Sequence, residues 1–145
     1  MGARYFALIA GIVYLLVGVM GFVPGLNDMA HPGMAEYDLV VDAQYGFLMG
    51  LFPVNILHNI VHLTIGIWGI LAYRSFGAAR TFALILGIFY LLLAVMGLIP
   101  GLNTTFGLIP LFGNDVWLHA VTAIAALAVY FLSRRDDSVR TASRA

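Results

Sequence analysis

The segment "NILHNIVH" at residues 55–62 places four polar side chains in an otherwise apolar stretch: Asn55, His58, Asn59 and His62. In an α-helix, residues three and four apart lie on one face, so the two imidazoles would be one turn apart. Histidines at this spacing are typical of a Zn²⁺ site, and a neutral imidazole can also be an axial ligand to haem iron or chlorophyll magnesium. The spacing therefore allows a metal site, a cofactor site, or hydrogen bonds between helices.

A third histidine, His119, lies near the start of a later apolar segment, and Asp115 or Asp42 would complete a metal site with the histidines. No HExxH motif accompanies them, and no cysteine is present for covalent haem attachment. We favour hydrogen bonds across helices, worth about 0.6–2 kcal/mol each, and expect neither a metal nor a cofactor. The alternative is a cofactor site for haem or chlorophyll. His58, His62 and His119 are its candidate axial ligands, and Asn55 and Asn59 are supporting polar residues.

The composition indicates an integral membrane protein. The chain has 145 residues, of which 62% are hydrophobic and 10% charged, whereas soluble domains carry about 25% charged residues. Four uncharged apolar segments approach the ~20 residues that a membrane-spanning helix needs: Tyr5–Val23, Ile56–Tyr73, Thr81–Ile99 and Val116–Leu132. Because lipid cannot hydrogen-bond to the backbone, these segments are predicted as helices. The predicted fold is an all-α membrane protein with four transmembrane helices.

The arginines predict the orientation of these helices. All seven lie on one side of the predicted bundle, whereas five of the seven acidic residues lie on the other: Asp28, Glu36, Asp38, Asp42 and Asp115. Arginine favours the cytoplasmic side of a membrane. Both termini are therefore predicted to be cytoplasmic, with two outer loops.

The chain contains an internal repeat. Residues Arg4–Asn27 and Arg80–Asn103 align without a gap and are identical at 17 of 24 positions. The second helices of the two units align less clearly. An offset of 61 pairs His119 with His58, and an offset of 57 pairs His119 with His62. The two registers differ by one helical turn, and both remain open.

This repeat defines the predicted domain organisation. Each unit is a helix, an outer loop and a second helix, so two such units have parallel topology about an axis along the membrane normal. The first unit spans residues 1–75, the second spans 76–133, and a charged cytoplasmic tail follows at 134–145. The first unit alone has an extended outer loop, 25–54, which is interpreted as a cap, a docking surface for a soluble partner, or a plain connector.

The residue types exclude several classes of function. The serines lie on the predicted cytoplasmic side, away from the histidines, so no nucleophile and base would meet. We therefore expect no catalytic residue and no enzymatic activity. No basic surface with interleaved aromatic residues is present, which argues against nucleic-acid binding.

Small residues recur at helical spacing, for example Ala7 and Gly11 in the first helix and Ala83 and Gly87 in the third. In lipid, small residues allow the close approach that helix association requires. We therefore expect contact with the lipid bilayer, and assembly into a membrane-protein complex or a homo-oligomer through Gly/Ala faces.

The histidine segment also carries a family resemblance. It contains the pattern NxxHNxxHxxxG, formed by Asn55, His58, Asn59, His62 and Gly66. With this pattern, the chain resembles over nearly its whole length the bacterial family named domain of unknown function 4383. The resemblance implies a small four-helix integral membrane protein of bacterial or cyanobacterial type, without an established activity.

Together, these observations predict a non-catalytic protein of the bacterial inner (cytoplasmic) membrane or the thylakoid membrane, acting as an accessory or scaffold subunit of a larger complex. The alternative is a cofactor-binding membrane protein, which would be linked to photosynthesis if the cofactor were chlorophyll. A small-solute permease ranks third, because a chain of 145 residues would have to oligomerise to enclose a path for a solute.

Overall fold

Four helices form the body of the protein. The structure is a computed structural model that describes residues 2–142 apart from 33, 35, 36 and 38, with side chains as far as residue 133. The helices and strands, numbered in chain order, are α1 (Gly2–Met20), β1 (Asn27–Asp28), β2 (Gly46–Leu48), β3 (Phe52–Val54), α2 (Ile56–Ala72), α3 (Phe76–Gly97) and α4 (Asn114–Ala142). The four predicted helices are therefore present.

Three helices are long and apolar enough to cross a membrane: α1, α3 and the Asn114–Ser133 part of α4. Helix α2 is apolar but has 17 residues, at the lower end of the ~17–25 residues of spanning helices. The outward faces carry exposed aliphatic side chains such as Ile9 and Ile124, which are 61% and 69% exposed. Such faces are stable against lipid rather than water. The chain is therefore a multi-pass membrane protein.

Small residues bring neighbouring helices into close contact. A Cβ atom on Gly11 of α1 would lie 2.9 Å from the carbonyl oxygen of Gly66 in α2, and the converse distance is the same. A Cβ atom on Gly87 of α3 would lie 2.6 Å from Cγ of Leu127 in α4. Helix α1 therefore packs mainly on α2, and α3 packs mainly on α4, each as an antiparallel pair. These small residues thus allow the predicted close packing between helices of the same chain.

Helices α1 and α3 run in the same direction and contact each other. Phe6 of α1 contacts Phe82 of α3, and Tyr14 contacts Tyr90, with ring centroids 6.4 and 5.5 Å apart. In the alignment of the repeated segment, Phe6 corresponds to Phe82 and Tyr14 to Tyr90. Equivalent side chains therefore meet across the bundle.

Arginines pack on tyrosines of the neighbouring helix at one end of the bundle, which we call the arginine end. The Nε of Arg4 donates to the carbonyl of Tyr73 at 2.8 Å, and its guanidinium lies 4.8 Å from that ring. The guanidinium of Arg80 lies 4.6 Å from the Tyr130 ring of α4. These cation–π contacts join the start of α1 to the end of α2, and the start of α3 to α4.

The opposite end of the bundle carries a small sheet, and we call it the sheet end. Strands β1, β2 and β3 form an antiparallel sheet in that order within loop 25–54. Met49 and Gly50, between β2 and β3, have φ values of 54° and 70°, and such left-handed conformations suit a tight hairpin. The fold is therefore mostly helical rather than all-α as predicted. The hairpin was not predicted because Met-Gly is a weak turn signal compared with Asn-Gly.

Loop 25–54 lies over the second loop of the sheet end, 98–113. The backbone N–H groups of Val40 and Val41 both donate to the carbonyl of Gly107, at 2.8 and 3.1 Å. Tyr37 stacks on Phe112 with ring centroids 3.7 Å apart. Of the three interpretations of this loop, these contacts favour a cap over one end of the bundle.

Helix α4 continues beyond its apolar part to Ala142, into the predicted charged tail. Glu36, Asp38 and Arg144, which contributed to the predicted orientation, lie outside the described residues. The side chains of the other tail arginines also lie outside them.

Candidate functional site

The three predicted histidines lie together near the sheet end of the bundle. His58 and His62 are one turn apart on α2, with ring centroids 4.4 Å apart, and His119 of α4 lies 6.2 Å from His58. All three are buried, with at most 4% of each residue exposed. Helices α2 and α4 both begin at the sheet end, so residues in their first two turns lie at similar depth. The structure thus brings together histidines from two distant segments.

Asp115 is the carboxylate that lies beside these rings. It is one turn before His119 in α4, and its Oδ2 is 3.6 Å from His119 Nε2, slightly too far for a hydrogen bond. Potential ligand atoms of His58, Asp115 and His119 all lie within 4.8 Å of one another. We call these three residues the His–Asp cluster. Asp42, the other carboxylate considered from the sequence, is exposed in loop 25–54.

A cavity of about 230 Å³ lies against the histidines, between α2, α3 and α4. His58, His62 and His119 all line it, and most of the remaining wall is apolar, including Leu92 and Met96 of α3. A cavity with a few convergent polar groups and apolar walls is the usual form of a small-molecule site.

Several polar atoms of this region have no hydrogen-bond partner among the described residues. They are Nδ1 of His58, His62 and His119, Oδ2 of Asp115, and both amide atoms of Asn59. Leaving a buried polar atom unpaired costs about 1–3 kcal/mol, so buried polar atoms are normally paired. Hydrogen bonds between helices therefore do not account for these atoms.

The family model described as "Domain of unknown function (DUF4383)" matches residues 4–132. The chain belongs to this family. The match confirms the resemblance inferred from the histidine segment, and it includes every residue of the His–Asp cluster. Comparisons with curated proteins and with solved structures give no significant match.

Asn55 holds the sheet end of the DUF4383 protein together. Its side-chain oxygen caps α2 by accepting from the backbone N–H of His58 at 2.9 Å. Its amide donates to the carbonyls of Val41 and Leu108, at 2.8 and 2.7 Å, and so ties both loops to the start of α2. Asn55 was predicted to support a cofactor; in the structure its side chain forms these hydrogen bonds to the two loops and to the start of α2.

Asn59, the second predicted supporting residue, faces α1. It is fully buried, and a Cβ atom on Gly21 would overlap its amide group. The conformation of the chain at the end of α1 therefore depends on glycine beside this amide.

Two tyrosines that the sequence did not assign to the site lie beside the histidines. Tyr14 of α1 packs on His62 with ring centroids 5.4 Å apart, and Tyr90 of α3 packs edge-on against His119 at 4.7 Å. The Tyr14 hydroxyl donates to Oγ1 of Thr122 at 3.5 Å. The signal in the sequence was the equal position of Tyr14 and Tyr90 in the repeated segment.

Proposed function

We propose that the DUF4383 protein binds a small ligand or ion within the membrane, in the cavity beside the His–Asp cluster. The observation that supports this proposal is the set of buried polar atoms that find no partner in the described part of the chain. Polar groups within a membrane are costly, and where they persist they usually mark a binding site or a transport path. The protein is proposed to be non-catalytic, as expected from the sequence.

The size of the cavity favours an ion or a ligand of a few atoms. Its volume of about 230 Å³ is below the roughly 300–1,000 Å³ of ordinary small-molecule sites. Helices α2, α3 and α4 would have to move apart to admit haem or chlorophyll. A tetrapyrrole bound through His58, His62 or His119 is therefore the less favoured form of the proposal.

The proposed architecture is two tandem hairpins that together cross the membrane four times. The contacts of Arg4 with Tyr73 and of Arg80 with Tyr130 support it, because Arg4 and Arg80 are equivalent in the repeated segment. Their partners Tyr73 and Tyr130 are equivalent only in the register with the offset of 57, so these contacts favour that register over the one with the offset of 61.

In this register the second helices contribute matching pairs to the site. His119 then corresponds to His62, and Asp115 corresponds to His58. The packing of Tyr14 on His62 and of Tyr90 on His119 agrees with the same correspondence. The proposed site would then lie where the two repeats meet, with one pair of side chains from each.

An accessory or scaffold function has less support from the contacts. It relied on Gly/Ala faces being available to partners, whereas Ala7, Gly11 and Gly87 are buried against other helices of the same chain. A partner subunit would therefore have to bind the aliphatic outer faces instead. The ligand-binding proposal does not depend on such a partner.

The ligand-binding proposal is tested by purifying the full-length protein from its native membrane in mild detergent, then measuring metal content, visible absorption and bound small molecules. We expect a bound species in the wild type and its loss in the triple variant His58→Leu, His62→Leu, His119→Leu. His31→Leu is the matched control, because the fourth histidine of the chain lies in loop 25–54, stacked on Phe47. A wild type that carries no more bound material than the triple variant would overturn the proposal.

The proposed orientation has both termini on the cytoplasmic side of a bacterial inner or thylakoid membrane, which is supported by the arginine end. The chain has no cysteine, so single introduced thiols can report on each side. A membrane-impermeant maleimide should label Met29→Cys in intact spheroplasts and label Gly77→Cys only after lysis, since both positions are exposed at opposite ends of the bundle. Labelling in the reverse order would contradict this orientation.

A further inference from the structure

We propose that the ligand is a single divalent transition-metal ion held by the His–Asp cluster: His58 of α2 with Asp115 and His119 of α4. This inference rests on the proposed function and names its ligand. Zinc ligands at about 2.1 Å in a tetrahedral site lie roughly 3.4 Å from one another. His119 Nε2 and Asp115 Oδ2 are already 3.6 Å apart, and one potential ligand atom of each residue lies within 4.8 Å of the other two. Small side-chain rotations would therefore close the site.

The donor types select the class of metal. Two imidazoles and one carboxylate bind Zn²⁺ with an open fourth position, or Fe²⁺ as a facial triad. Calcium and magnesium prefer sites built from oxygen ligands alone. Thiolate ligands are absent, since the chain has no cysteine. The site therefore suits a borderline divalent ion such as zinc, iron(II) or cobalt(II).

The burial of the cluster favours a positively charged ligand. His58, Asp115 and His119 are 3%, 1% and 1% exposed, and the Asp115 Oδ2 has no hydrogen-bond partner in the described structure. A metal ion would neutralise this carboxylate and accept a lone pair from each imidazole.

The cavity gives the metal ion an open side. His58 and His119 belong to the His–Asp cluster and also line the cavity of about 230 Å³. The fourth coordination position, which the three protein ligands leave open, would therefore face that cavity. A water molecule or a small ligand can complete the coordination there. This distinguishes the proposed site from a closed structural zinc site, which has four protein ligands.

The test uses the full-length protein in detergent, stripped with a chelator and titrated with Co²⁺ and then with Zn²⁺. We expect stoichiometric Co²⁺ binding with a visible absorption band of a low-coordinate ion, and displacement of that band by Zn²⁺. Asp115→Asn keeps the size of the side chain and should lower Zn²⁺ affinity by roughly 100-fold, since loss of even an outer partner costs 10–100-fold. His31→Ala, outside the cluster, should bind both ions like the wild type.

Equal Zn²⁺ affinity and an unchanged cobalt band in Asp115→Asn would overturn the metal site. If Asp115→Asn does not elute as a monodisperse protein, His58→Gln allows the same comparison. If stripped wild type binds neither ion, while the natively purified protein carries an organic species that the triple histidine variant lacks, the metal inference fails and the ligand-binding proposal stands. If the protein binds neither ion nor an organic species, both fail.

Discussion

Asn55→Ala is expected to destabilise the DUF4383 protein by about 2–4 kcal/mol, because it removes an N-cap and two hydrogen bonds to partly buried backbone carbonyls. Asn55 is fully buried, and its side chain makes all three of these hydrogen bonds. Two of them join α2 to Val41 and Leu108, which lie in different loops. Their loss should therefore loosen loop 25–54 at the sheet end and also destabilise the first turn of α2. Thermal unfolding and limited proteolysis of the purified protein measure both effects.

Two further variants separate the N-cap hydrogen bond of Asn55 from its hydrogen bonds to the two loops. Asn55→Ser keeps an oxygen that can cap α2 but cannot reach both carbonyls, so it should recover only about 1 kcal/mol of the loss. Ser75→Ala removes the exposed N-cap of α3, whose Oγ accepts from the N–H of Ala78 at 3.1 Å, and contains the cap effect alone. If Asn55→Ala proved no more harmful than Ser75→Ala, the hydrogen bonds to the two loops would contribute nothing to stability.

The helices could be predicted closely from the sequence because each helix signal is local. Uncharged apolar segments indicated their positions, and the predicted second segment begins at Ile56, as does α2, directly after the capping Asn55. The sheet combines a pairing between distant residues, Asn27 with Leu48, and a hairpin in which Phe47 pairs with Pro53. Because no strong turn signal lies between the strands, nothing local in the chain indicated that pairing.

The sequence indicated several of the side chains that meet at the candidate site, but not their chemistry. The spacing of His58 and His62 places both on one face of α2, and Asp115 and His119 share the same spacing on α4. A shift of one helical turn keeps residues on one face, so the sequence could not choose between the two registers of His119. Which nitrogen atoms lack partners depends on side-chain orientation, which spacing does not determine. The spacing alone therefore favoured hydrogen bonds between helices, whereas the unpaired atoms favour a ligand.

Asp115→Leu is expected to abolish the stabilisation by zinc, so that the order of stability of variant and wild type depends on whether zinc is present. In metal-free protein, leucine occupies similar space and removes a buried carboxyl group whose Oδ2 is unpaired among the described residues. The unfolding free energy should then rise by about 1–2 kcal/mol, after allowing for the favourable acidic residue lost from the first turn of α4. Zinc at 100 times its Kd should stabilise the wild type by about 2.7 kcal/mol and the variant not at all. The wild type should therefore be the less stable protein without zinc and the more stable one with it.

Asp42→Leu is the matched control, since Asp42 is an exposed carboxylate outside the cluster. It should change stability by no more than about 0.5 kcal/mol and should keep the full response to zinc. A zinc response that persisted in Asp115→Leu would remove this residue from the metal site. Lower stability of metal-free Asp115→Leu than of wild type would mean that the buried carboxylate is stabilised by the folded protein itself. A reversal of order cannot come from packing alone, because the packing of leucine against its neighbours does not depend on zinc.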